Sequence, residues 1–175
     1  MPSRRPPRIH RTIEHEATIH RRFADVLEIV ERHCPQMLHV GTVAADRAAC
    51  VLAPEFGALE HFDPDEKLVV VILDDASAMS ARHCAVEFVW QADRDARLLA
   101  NVSCRLDFRA LDSGGQRATT EVRLHAEYDP PQRHRGSSDK ILLGRRVVRA
   151  ALDSLLDEIV RFVENYEETI ELRLA

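Results

Sequence analysis

The sequence predicts an α+β fold in which helices cover one side of an antiparallel sheet. Three observations predict it. Residues 118–128 alternate apolar and polar side chains, as a strand with one buried face does. Pro130 and Pro131 end that strand, because proline has no amide hydrogen to donate to a sheet. A long amphipathic helix follows, and a series of further strands precedes residue 118.

The chain begins with a predicted strand and a short helix. Within residues 8–19, alternate side chains fall on one side of a strand, and the polar residues between them fall on the other. The inward set comprises Ile13, His15, Ala17 and Ile19. Residues 21–34 then place an apolar stripe on one face of a helix, which we expect to close at Pro35. The stripe consists of Phe23, Val26, Leu27 and Val30.

The middle of the chain reads as strands separated by turns. We expect strands near residues 48–53, over residues 67–73, over residues 83–92 and over residues 97–111. Gly114 and Gly115 can adopt positive φ at little steric cost, which favours a tight hairpin between the last two long strands. Those two strands are therefore predicted to be antiparallel neighbours.

The final helix is predicted to open at Ser137 or Ser138, whose hydroxyl can cap it. Its apolar residues recur at helical spacing over more than four turns, and they are Val148, Leu152, Leu155, Ile159 and Val163. Its early turns are basic, which is typical of a solvated face and also of a surface for an anionic ligand. Residues 167–175 alternate again, so a further strand and a frayed end both remain open.

Composition narrows the classes of function. The chain has 175 residues, 45% of them hydrophobic, which suits one domain over residues 9–175 after a flexible basic tail at residues 1–8. A net charge of -5 gives no general attraction to nucleic acid, and no apolar run is long enough for a membrane span. We expect a cytoplasmic protein, because the N-terminus lacks the apolar run of a secretory signal. The sequence does not determine the oligomeric state.

Motifs for metal or cofactor chemistry are missing from the sequence. The four cysteines lie 16, 34 and 20 residues apart without a CxxC pair, and we expect them to be reduced and buried. His15 and His20 fall on opposite sides of the first strand, so they do not form a metal site. No glycine-rich phosphate loop, dinucleotide fingerprint or GxSxG elbow occurs. We therefore predict neither a cofactor nor a metal.

The order of elements resembles the helix-grip superfamily of START-like, polyketide cyclase/dehydrase and lipid transport proteins, also called SRPBCC. The segments that carry the resemblance are residues 12–30 at the start, and residues 120–131 and 142–164 at the end. Many members have a tryptophan and a proline after the first helix, whereas this chain has Pro35 and no aromatic residue there. The resemblance implies a curved antiparallel sheet wrapped around the long C-terminal helix, with a cavity between them.

That cavity implies a site for a hydrophobic small molecule such as a lipid or polyketide. Its lining would come from the dry face of the strands and from the last helix. The predicted ligand-binding residues are Val86, Phe88, Trp90, Val102, Cys104, Leu106, Val122, Leu124, Tyr128, Leu152, Leu155 and Ile159. For each of them, ordinary packing in the core is the alternative interpretation.

Two inward polar residues could support catalysis on the same fold. His15 and Tyr128 are the best acid/base candidates, since imidazole titrates near neutrality and a phenol can donate a hydrogen bond to a developing oxyanion. No carboxylate faces inward from the predicted strands. Binding, with or without transport, is thus the leading hypothesis, and a polyketide cyclase, aromatase or dehydratase is the alternative. An interaction protein with a filled core is the third reading.

Overall fold

The computed structural model describes residues 11–52, 68–92, 102–111, 119–128 and 138–166. The predicted tail at residues 1–8 and the segment 167–175 lie outside these ranges. Within the described ranges, seven elements follow one another: β1 (Arg11–Ile19), α1 (Phe23–Leu52), β2 (Leu68–Ser80), β3 (His83–Ala92), β4 (Val102–Leu111), β5 (Thr119–Tyr128) and α2 (Ser138–Glu164).

The strands form one antiparallel sheet in the order β1-β5-β4-β3-β2. The predicted pairing of the last two long strands is confirmed, because Leu106 of β4 lies opposite Leu124 of β5. The first strand pairs with the last, so that His15 of β1 lies opposite Leu124 on the other side of β5. The order of elements and this pairing confirm the predicted α+β, helix-grip fold.

Burial alternates along the strands as the sequence predicts. In β4 and β5, buried side chains alternate with partly or fully exposed ones over most of each strand. The fully buried set on these strands comprises Val102, Leu106, Phe108, Thr120, Val122, Leu124 and Ala126. We call the side of the sheet that carries these residues the inner face, and the opposite side the outer face. Burying one face of each strand gives the sheet its hydrophobic driving force.

The predicted end of the first helix near Pro35 coincides with a break at His33, but the expectation that no further helix follows before the strands is wrong. Helix α1 runs to Leu52, with a kink at His33, whose φ of -132° and ψ of 17° are not helical. Pro35 therefore falls in the first turn after the kink, where a missing amide hydrogen costs little. The strand predicted near residues 48–53 is also wrong, because α1 includes Ala48 to Leu52.

The second half of α1 has a buried stripe of mostly small and apolar residues, which was not predicted from the sequence. Buried positions recur at intervals of three and four residues, and they are Met37, Leu38, Gly41, Thr42, Ala45 and Ala49. Helices α1 and α2 pack against each other along this stripe, and both contact the sheet. Two helices, and not the C-terminal helix alone, thus cover the inner face.

The two helices approach closely at Gly41. A Cβ atom at this position would lie 3.2 Å from Cγ1 of Ile159 and 3.3 Å from the backbone oxygen of Leu155. Distances this short are tighter than most Cβ contacts, so a Cβ atom here would push its neighbours by a few tenths of an ångström, and a backbone oxygen in α2 cannot turn aside as a side-chain end can. The missing side chain of Gly41 therefore sets the separation of the helices.

The outer face of the sheet carries a network of charges around Arg105. The Arg105 guanidinium donates hydrogen bonds to Asp107 at 3.0 Å and to Glu87 at 2.9 Å, and His83 contacts Asp107 at 2.7 Å. Burial raises the pKa of Asp107, but the hydrogen bonds from Arg105 and His83 outweigh it and hold that pKa below its ordinary value of 3.8. The network therefore favours ionised Asp107.

We predict that Gly41→Leu lowers the free energy of unfolding by about 1–3 kcal/mol, because the added carbons force the helices apart. Chemical denaturation monitored by circular dichroism measures the change. Val43→Leu is the matched control, since Val43 is two residues away on the same helix and 37% exposed. A Gly41→Leu protein as stable as the control would contradict the close contact.

We predict that Asp107→Asn lowers the free energy of unfolding at pH 7 by up to about 1 kcal/mol, because it removes charge-assisted hydrogen bonds at a partly exposed site. The folded pKa is depressed, so the wild-type advantage is complete well above pH 3.8 and is lost as the pH falls through the folded pKa. Urea denaturation of both proteins between pH 7 and pH 2 tests this.

Glu87→Gln is the control for Asp107→Asn. It removes the other carboxylate that bonds to Arg105, and the Glu87 side chain is 40% exposed. Its effect should be smaller at every pH. A constant difference between wild type and Asp107→Asn over the whole pH range would contradict the assigned role of Asp107.

Candidate functional site

The predicted ligand-binding residues meet in the layer between the inner face of the sheet and the two helices, which we call the inner layer. Those with described side chains are all buried and belong to one hydrophobic cluster. They are Val86, Phe88, Val102, Cys104, Leu106, Val122, Leu124, Tyr128, Leu152, Leu155 and Ile159. The side chain of Trp90 lies outside the described part of the chain. Their shared layer is established, and their role as ligand contacts stays a prediction.

His15 lies in the inner layer at the edge where α2 covers β1. Its side chain is only 12% exposed. The ring atom Nδ1 lies 2.6 Å from Oδ1 of Asp153 in α2. The other ring nitrogen, Nε2, is buried and has no hydrogen-bond partner among the described residues. One side of the imidazole is therefore held, and the other can accept or donate a further hydrogen bond.

Tyr128 is the second buried polar group without a partner in the described ranges. It ends β5, its side chain is 4% exposed, and its hydroxyl makes no hydrogen bond to the described residues. Val102 of β4 and Arg11 of β1 lie opposite it in the sheet. A buried phenol usually finds a partner, so an unpaired one on an apolar face is informative.

His15 and Tyr128 share the inner face but do not contact each other. Leu124 is the residue of β5 opposite His15, and it precedes Tyr128 by four positions. At about 3.3 Å per residue, the two backbone positions are separated by roughly 13 Å along the strands. They cannot exchange a proton directly, but they can contact different parts of one molecule. A catalytic role for either residue stays a prediction.

Asp153 is the polar residue of this site that the sequence reasoning missed. The alternation of the strands predicts no inward carboxylate, and Asp153 comes instead from α2. The available signal was its position beside Leu152 and three residues before Leu156, at the border of the apolar stripe. Its side chain is 49% exposed, as expected at such a border.

The remaining inward polar residues have structural explanations. The hydroxyl of Thr120 donates to the carbonyl oxygen of Arg21 at 3.0 Å, which ties β5 to the connection between β1 and α1. Burial raises the pKa of the Cys104 thiol strongly, and burial together with Glu31 and Asp107 raises that of Cys84 to about 11. Neither thiol is a nucleophile at neutral pH, because the thiolate is the reactive form.

The end of α2 is held by the residues that join β1 to α1. Arg21 donates two hydrogen bonds to the carbonyl oxygen of Glu164, at 2.8 Å and 3.2 Å, and thereby satisfies an acceptor that the helix leaves free. The amide of His20 donates to the Glu164 carboxylate at 2.9 Å. The Tyr166 hydroxyl hydrogen-bonds to Nε2 of His33 at the kink of α1. These contacts fix α2 over β1 and so place Asp153 beside His15.

A groove of about 890 Å³ lies on the outside of the two helices, away from the sheet. Its floor includes Val43 and Val51, which are exposed, and charged side chains of both helices lie around it, among them Arg47, Asp157 and Arg161. The predicted ligand-binding residues do not line this groove. It is therefore separate from the inner layer.

The described ranges contain no group of three or more histidine, cysteine or acidic side chains placed to bind a metal ion. Within the same parts of the chain, no helix has both the length and the apolar character needed to cross a bilayer.

Comparison with known proteins gives similarities of overall structure only. No protein-family model matches the sequence, and no curated protein matches it. Truncated norcoclaurine synthase from Thalictrum flavum is similar to this chain with 13% identity and a TM-score of 0.38, over 91% of this chain and 97% of that chain. The Zhui aromatase/cyclase from Streptomyces sp. R1128 has 16% identity and a TM-score of 0.34, over 90% and 95%.

A third solved structure, Ara h 8.0201, is similar with 11% identity and a TM-score of 0.41, over 88% of this chain and 97% of that chain. At these identities and TM-scores, the similarities assign neither a ligand nor a reaction to this chain. The function of this chain must therefore be inferred from the chain's own residues.

We predict that Tyr128→Phe raises the free energy of unfolding of the ligand-free protein by about 1 kcal/mol, because it removes a buried hydroxyl that has no partner in the described ranges. Urea denaturation of delipidated protein measures this change in the free energy of unfolding. Phe88→Leu, a change on the same inner face that removes no polar atom, should destabilise instead. A loss of stability in Tyr128→Phe would indicate that the hydroxyl has a partner in the folded protein.

Proposed function

We propose that this protein binds a mostly apolar small molecule in the inner layer, with its polar groups directed at His15 and Tyr128. One observation carries the proposal. Nε2 of His15 and the hydroxyl of Tyr128 are buried on an otherwise apolar face and have no partner among the described residues. Lipids and polyketides are the ligand classes that the helix-grip resemblance implies, and the cytoplasm is the proposed location.

The energetics favour a ligand with this chemistry. Leaving a polar group buried without a hydrogen bond costs about 1–3 kcal/mol. A ligand that supplies the missing partners removes that cost, and its apolar part gains by leaving water. Two polar atoms on one apolar face, neither with a partner in the described part of the chain, therefore favour a molecule with a hydrophobic body and separated polar groups.

The free-energy cost of ligand entry depends on how closely the side chains of the inner layer are packed. The apolar side chains of the inner layer are almost completely inaccessible to solvent, including Phe88, Leu106 and Leu155. A ligand must move such side chains apart, and it then replaces their mutual contacts with its own. This requirement favours flexible or flat apolar molecules over bulky polar ones.

The first test of the proposal uses the protein as it is purified. Native mass spectrometry and organic extraction should reveal a co-purifying hydrophobic molecule, or a delipidated sample should bind 2-naphthol in a calorimetric titration. Absence of both a co-purifying hydrophobe and naphthol binding would remove the proposed function and favour a protein with a permanently filled core.

A variant then locates the site. Tyr128→Phe should weaken binding of a ligand that contacts the hydroxyl by about tenfold, the effect of losing one buried hydrogen bond. His125→Gln is the matched control, because His125 is on the same strand, on the outer face, where it contacts Glu14 at 3.1 Å. Equal weakening in both variants would place the ligand outside the inner layer.

A further inference from the structure

We propose that Asp153 is a positioning residue that holds the proton of His15 on Nδ1, so that Nε2 is a hydrogen-bond acceptor and the ligand presents a hydroxyl to it. The proposal rests on the proposed function and specifies the ligand further. It assigns a polarity to the site, which means a direction for the hydrogen bond: Nε2 of His15 accepts it, and the ligand donates it. Hydrophobic alcohols, phenols and enols have the required group.

The geometry of the contact determines which nitrogen carries the proton. Nδ1 of His15 lies 2.6 Å from Oδ1 of Asp153. An ionised carboxylate only accepts hydrogen bonds, so Nδ1 must be the donor. In a neutral imidazole the other nitrogen then has a lone pair and no hydrogen. When the ring is neutral, the contact with Asp153 thus makes Nε2 the acceptor.

The position of the two side chains suits this role. The His15 side chain is 12% exposed and Asp153 is 49% exposed, so the carboxylate stays in contact with water while the ring enters the inner layer. Arg21 and Thr120 fix the neighbouring end of β1, and the end of α2 is bonded to the same connection. The ring is therefore held from the helix side and can contact a ligand only through Nε2.

His15 determines the polarity of the site more strictly than Tyr128 does. A phenol hydroxyl both donates and accepts, so Tyr128 can pair with a hydroxyl or with a carbonyl oxygen. Nε2 with a lone pair can pair only with a donor. A ligand that offers an ether or a ketone at this point leaves Nε2 unpaired, and sites built around such a hydrogen bond discriminate strongly against analogues that lack it.

The tautomer can be measured without any ligand. In nitrogen-15 NMR spectra of uniformly labelled protein, recorded at a pH where the His15 ring is neutral, His15 should show a protonated Nδ1 and an unprotonated Nε2. The chain has nine histidines, and the His15→Gln spectrum identifies the signals by difference. Asp153→Leu should move the proton toward Nε2. A wild-type His15 with the proton on Nε2 overturns the proposal, whatever the ligand.

The ligand preference is tested with a matched pair of probes. Wild-type protein should bind 2-naphthol about tenfold more tightly than 2-methoxynaphthalene, which has the same rings and no donor. Asp153→Leu should lose this preference while still binding both probes. Asp157→Leu, one turn along α2 at an exposed position, should keep the preference and the wild-type tautomer.

The outcomes separate the two proposals. Equal affinity of wild-type protein for both probes overturns the assigned polarity and leaves binding in the inner layer intact. Binding of neither probe overturns this inference, and when no hydrophobic molecule co-purifies either, it removes the proposed function as well. A preference that survives in Asp153→Leu also overturns the positioning role, because the discrimination would then have another source.

Discussion

A sheet with one apolar face must be covered, and the cover in this protein depends on how closely two helices can approach. The strands bury alternate side chains, so their inner face is unstable in water until helices pack on it. Gly41 lets α1 lie directly against Leu155 and Ile159 of α2. This close contact turns two separate helices into one layer wide enough to reach several strands.

The same layer explains why the polar atoms within it are significant. The site couples an apolar environment, where an unpaired polar group is costly, to a helix border where a carboxylate can still reach water. His15 joins the two, since one ring nitrogen contacts Asp153 and the other has no partner among the described residues. Under the function that we propose, stability and binding are therefore opposed at this site, because the groups that would recognise a ligand destabilise the protein without one.

The outer face of the sheet has the opposite character. Arg105, Asp107, Glu87 and His83 form a partly exposed network, and similar pairs connect β1 with β5. These contacts keep the outer face solvated and reinforce the pairing of strands whose register the inner face selects. The inner face thus packs against the helices and receives the ligand that we propose, and the outer face holds the strands in register.

Apart from the strand wrongly expected near residues 48–53, the sequence alone determined where the strands lie, which faces of β1, β3, β4 and β5 are buried, and the C-terminal helix, because alternation and helical spacing are local patterns that depend on nearby residues. It also identified His15 and Tyr128 as inward polar groups. It did not predict the second half of α1, because a proline such as Pro35 is typical of a helix end. In the structure the kink at His33 places Pro35 in the first turn of the helical segment that follows. The contact of Asp153 with His15 joins residues 138 positions apart, so only the packing of α2 on β1 could decide it.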